Sequence, residues 1–174
     1  MAELSSIYKL PRRIEAEHPD AGLLALLQSR SRKLWEAGLL DVPVLELTDP
    51  LKQSLLAARR SGSIIRGIEA AAEDMARQRH GLELLNRHTP QGERISRLVL
   101  MSRDGTKNFY RKAEGLLTQH RPLVLGCVVD CDSLSLGSLL FGPGMTVKLL
   151  LVSHKQDVIR ILLSLIGESP AVLK

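Results

Sequence analysis

Three times in the last eighty residues an apolar run stops at a polar cluster and a helix-like segment follows. Ile95–Met101 runs into Ser102-Arg103-Asp104-Gly105, Leu123–Val129 into Asp130-Cys131-Asp132-Ser133, and Val147–Val152 into Ser153-His154-Lys155. Apolar, β-branched runs of this length, alternating with amphipathic stretches, predict βαβ units and a parallel sheet. In such a sheet, right-handed crossovers put all strand C-termini on one edge, where ligands gather. The pattern therefore predicts that Asp104, Asp130 and Ser153 line one edge together. Helices are expected over 106–119, 133–140 and 153–166, the last opened by a capping box of Ser153 and Gln156 and closed by Gly167. The residues from there to Lys174 read as frayed.

The first half carries a different pattern. Residues 1–19 read as a loose arm. Asp20 caps a predicted helix over 21–37, ended by Gly38. Val42–Leu47 predicts a short strand, which Pro43 should confine to a sheet edge. Thr48-Asp49-Pro50 marks a helix start, and the helical pattern then runs over 50–85 with a break at Ser61-Gly62-Ser63. On this helix Glu73 is spaced to pair with Arg77. His88–Gly92, with Thr89-Pro90-Gln91-Gly92, reads as a linker. The expected fold class is α/β: a small, mainly parallel sheet of three or four strands with flanking helices, preceded by a helical N-terminal region. Two regions result, a helical 1–91 and a three-strand βαβαβα unit over 92–174.

Charge changes the picture more than composition does. The chain has 174 residues and a net charge of +5. Residues 52–121 hold fourteen Lys/Arg against seven Asp/Glu, while the flanking segments are acidic or neutral. Most of that excess is arginine, whose planar fork suits phosphate and carboxylate. Arg59, Arg60, Arg66, Arg77, Arg79, Arg87, Arg94 and Arg97 can follow a phosphate backbone if they share a face, or form a solvated face beside Glu69, Glu73, Asp74 and Glu83. Aromatic content of 3% leaves few rings for stacking bases.

Two cysteines, Cys127 and Cys131, are too few for a disulfide framework. In a regular strand they lie roughly 13 Å apart and read as buried packing residues. They fit a reducing cytoplasm, as does the N-terminus MAELSSIYKL, which has no apolar leader segment. No apolar stretch reaches the ~20 residues that span a bilayer, so no membrane association is expected.

Asp130 and Asp132 are the sharpest chemical feature. Carboxylates two apart at a strand end suit Mg²⁺ or Mn²⁺ acting on phosphate esters. Otherwise one aspartate caps the next helix and the other is solvated. Ser102-Arg103-Asp104-Gly105-Thr106-Lys107 is either a turn that holds phosphate at a helix N-terminus or a turn capped by Asp104. It matches no nucleotide-binding fingerprint. None of the five histidines has zinc-ligand spacing.

Two resemblances bear on the aspartates. VVDCDSLSL resembles the first motif of the haloacid-dehalogenase family, and Ser153 after VKLLLV then stands at its second-motif Ser or Thr. The match departs where Ser133-Leu134 replaces Gly-Thr and where no acidic motif follows Ser153. The layout is also similar to Toprim domains, but Asp104 stands where that family has a glutamate. Neither similarity assigns a family.

The reading that follows is a non-enzymatic cytoplasmic module. It binds an anionic partner, nucleic acid or a phosphorylated ligand, through Arg59, Arg60, Arg66, Arg103 and Lys107. No cofactor is implied. The alternatives are a Mg²⁺-dependent phosphate-ester enzyme using Asp104, Asp130 and Asp132, and a structural protein whose helical half forms homo-oligomers.

Overall fold

A computed structural model describes residues 4–19, 22–85 and 93–166. The Asp20 cap, the 88–92 linker, Arg87 and the residues from Gly167 onward lie outside them.

The expected arm contains two short helices, α1 (Leu4–Ile7) and α2 (Arg12–Glu17). The helix expected over 21–37 is only α3 (Leu23–Ser29). Its end has a local cause. The Ser29 and Ser31 hydroxyls donate back to the carbonyls of Leu26 and Leu27, closing the helix with bonds that compete with its continuation. The chain then enters strand β1 (Ser31–Lys33), which pairs antiparallel with β2 (Asp41–Leu45). Gly38 caps no helix. It lies in the turn between these strands, where a Cβ would fall 2.6 Å from a Glu114 carboxylate oxygen. That oxygen accepts from the backbone N–H groups of Leu39 and Leu40, pinning the turn.

Thr48 opens α4 (Asp49–Arg60) as expected, accepting from Leu51 N with Pro50 in the first turn. The break at Ser61-Gly62-Ser63 is real, and beyond it lies a strand that hydrophobic periodicity does not reveal, β3 (Ile64–Arg66). Helix α5 (Ile68–Leu85) follows, and on it Arg77 pairs with Asp74, 3.8 Å away, instead of Glu73. The second half alternates as predicted: β4 (Arg97–Met101), α6 (Lys107–His120), β5 (Val124–Val129), α7 (Ser133–Phe141), β6 (Leu149–Val152) and α8 (Lys155–Ile166).

These strands form one six-stranded sheet in the order β1-β2-β5-β4-β6-β3. It is mixed, not mainly parallel. Strands β2, β5 and β4 are parallel neighbours, whereas β6 runs antiparallel to both β4 and β3. The direction of β6 follows from the segment before it. Gly142 (φ 107°) and Gly144 (φ 80°) adopt left-handed turn conformations that turn the chain back along α7. Val147 N then donates to Ser133 O at 3.0 Å, so β6 starts at the edge where β5 ended. Pro43 also sits differently from the expectation, because β2 lies between β1 and β5. Its missing N–H is tolerated because β5 pairs only with Val44 and Leu45 beyond it.

Helices cover both faces of the sheet, which is why its central strands are apolar at every position except Arg97, which opens β4. Leu98, Leu100, Leu150 and Val152 pack with α4, α7 and α8, joined by the N-terminal helices. Val99, Met101, Leu149 and Leu151 pack with α5 and α6. At Gly126 a Cβ would lie 2.4 Å from Leu117, so only glycine admits α6 this close to β5.

Candidate functional site

Because β2, β3, β4 and β5 point one way and β6 the other, the C-termini of four strands share an edge with the start of β6. Asp104 and Asp130 stand at that edge. Ser153 follows the far end of β6 and lies at the opposite edge, so the expected shared site of Asp104, Asp130 and Ser153 does not form. Nor does Ser153 build a capping box. Its hydroxyl donates to Ser63 O at 3.0 Å, and Gln156 accepts from Arg13.

Each of the three aspartates has a separate partner. Asp104 accepts from Ser133 N and Ser133 Oγ, both at 2.9 Å. Burial pushes its carboxyl up, but Ser133 and the nearby Ser102 hydroxyl outweigh this and hold it below the ordinary value. Ser102 acts here by proximity alone, since its fully buried hydroxyl makes no hydrogen bond of regular geometry. Asp132 caps α7, accepting from Ser135 N at 2.7 Å, and this bond holds its carboxyl low. Asp130 pairs with Arg103 at 3.0 Å on the surface. Among the described residues no cluster of three or more His, Cys, Asp or Glu groups can hold a metal ion.

The turn after β4 spends its donors internally. Ser102 N donates to Lys148 O, Arg103 N to Cys131 O and Gly105 N to the Tyr110 hydroxyl. Thr106, not Asp104, caps α6. Lys107, at the start of α6, faces Glu36 at 3.4 Å.

The arginines sort into two groups. Arg77 and Arg97 pair with Asp74, Arg79 with Glu83, and Arg94 with Glu15. Arg59, Arg60 and Arg66 have no carboxylate partner among the described residues. Arg59 leaves α4 and Arg66 ends β3, yet their guanidinium carbons sit 5.1 and 5.0 Å from the centre of one ring, that of Phe141. Arg66 also donates to Thr146 O. Each stacking contact contributes about 0.5–1 kcal/mol at an exposed site. The two guanidinium carbons lie no more than about 10 Å apart, a separation comparable to the screening length at about 0.1 M ionic strength.

Lys148, exposed at the start of β6, continues this positive surface between Arg66 and Arg103 in strand order. Adjacent strands are about 4.8 Å apart, so the basic positions on β3, β6 and β4 span roughly 10 Å of the edge. The sequence reading missed Phe141 and Lys148. Both had a signal: Lys148 is the one charge in residues 133–152, and Phe141 is one of only five aromatic side chains.

Cys127 and Cys131 are buried free thiols in the same core cluster, and burial pushes them up to about 12 and about 11. The exposed large apolar side chains Leu39, Leu84, Leu134 and Met145 fall on separate segments. No described helix is long and apolar enough to cross a membrane.

No family model matches the chain, and no curated protein matches it either. Among solved structures it is similar to a Bacillus halodurans protein of unknown function, with 17% identity and a TM-score of 0.48, over 68% of this chain and 97% of that one. It is also similar to a Giardia lamblia 15.5 kD RNA-binding protein, with 12% identity and a TM-score of 0.39, over 71% and 87%. Likeness at this level carries no functional argument.

Proposed function

We propose that the chain is a non-enzymatic module that binds an anionic partner, a nucleic acid or a phosphorylated ligand, through Arg59, Arg60, Arg66 and Lys148. One observation carries this reading. Two arginines from different elements converge on Phe141 with no carboxylate to neutralise them, while the other described arginines of the central segment from Arg77 to Arg103 are paired. Holding like charges together costs free energy, and an anion bridging them offsets it. Arg66 and Lys148 are exposed on adjacent strands, a spacing that suits the repeated phosphates of a polymer.

The test is anisotropy of labelled 20-base-pair RNA and DNA duplexes at two salt concentrations. Three neutralised phosphates predict a slope near −2.7 in log affinity against log salt. That is roughly a 40-fold loss between ~50 and ~200 mM. Replacing Arg59, Arg60 and Arg66 by alanine should flatten the slope, and millimolar inorganic phosphate should compete. Undetectable binding at the lower salt concentration would reduce these arginines to a solvated face.

A further inference from the structure

At the opposite edge of the sheet, before β4 and β5 begin, the C-terminal halves of α5 and α6 leave a cavity of about 220 Å³. Met75, Leu82, Pro122 and Leu123 supply apolar walls. Cavities of about 150 Å³ accept a benzene ring, so this one has room for two fused rings.

His120 lines the cavity and is 93% buried, with 7% of its surface exposed. Its ring makes no hydrogen bond to any described residue. An imidazole that lines a cavity offers its ring nitrogens to whatever enters it. Burial first, and then the Arg79 charge, push its pKa down, so the ring is neutral and offers one donor and one acceptor. Beside it, Gln78 donates its amide N–H to Ser96 Oγ at 2.5 Å, which leaves the amide oxygen available as an acceptor.

The charges at the rim balance. Arg79 pairs with Glu83 at 3.4 Å, and Arg121 is opposed in sign by Glu93. A net anion or cation has no advantage here. We infer that this cavity binds a small, uncharged, planar nitrogen heterocycle of one or two rings, its faces against the apolar walls and its polar edge toward His120 and Gln78. The site is separate from the arginine surface and stands or falls independently of it.

Free adenine is the probe, titrated to 5 mM into the full chain while backbone amide resonances are followed. Saturable shifts are expected at residues 78–83 and 119–123 and none at 59–66. His120→Phe should weaken binding at least about tenfold, the loss of one buried hydrogen bond. His120→Gln, which keeps a donor and an acceptor, should stay within about threefold. Leu82→Trp fills the cavity from its apolar side and should abolish binding, which keeps the test decisive if His120→Phe fails to fold. The inference is overturned if adenine gives no saturable shift, if the shifts map elsewhere, if benzoate binds the same residues as tightly, or if both His120→Phe and Leu82→Trp bind like the native chain.

Discussion

Asp104 shows how one carboxylate can look catalytic in sequence and be structural in space. Both its oxygens are occupied by Ser133, so it holds the start of α7 against the end of β4. Asp104→Ala should destabilise the chain by about 1–2 kcal/mol, the usual cost of removing such a cap, measured by urea unfolding at pH 7. The sign of its pH dependence follows from its lowered pKa. The contribution is complete above the ordinary carboxyl value near 4 and is lost as pH falls through the lowered folded value. The difference between native and Asp104→Ala chains should therefore shrink below about pH 4. A difference that stays constant into strong acid would mean the bonds to Ser133 do not depend on ionised Asp104.

At the scale of elements, the clasp between α7 and the 142–148 segment fixes the direction of β6 and thereby the composition of the edge where β2, β3, β4 and β5 end. Gly137 makes the clasp close, since a Cβ there would fall 2.3 Å from the Met145 carbonyl oxygen. Gly137→Ala gains up to ~1 kcal/mol of helix propensity, but overpacking against backbone costs ~1–3 kcal/mol. Net destabilisation of about 1–2 kcal/mol is expected in urea unfolding, and a stabilised variant would show the clasp to be loose. Long apolar runs such as 98–101 and 123–129 were legible because burial on both faces leaves no polar position. The Thr48 cap was legible because its chemistry is local. Strands β1 and β3 were not, because three residues cannot display a period. The antiparallel course of β6 was hidden as well, since it depends on a contact between Val147 and Ser133. Arg59 and Arg66 stood out as charges, but their meeting at Phe141, far along the chain, is a property of packing alone.

For the whole molecule, the sheet joins strands from both ends of the chain. β2 finds its parallel partner in β5, and among the described residues β3 pairs only with β6, with Ile64 opposite Val152. Residues 1–91 produced alone should therefore lack amide protection over 64–66 in hydrogen exchange, whereas the full chain protects them. Protection in the fragment would mean that β3 finds another partner. The same connectivity has a consequence during synthesis. Translation at about 5–20 residues per second puts roughly 4 to 18 seconds between the appearance of Ile64 and that of Val152. For that interval the growing polypeptide carries an unpaired strand edge open to self-association, which the like charges of Arg59, Arg60 and Arg66 beside it oppose. Productive folding is then a matter of timing, in which β3 must stay solvated until β6 leaves the ribosome.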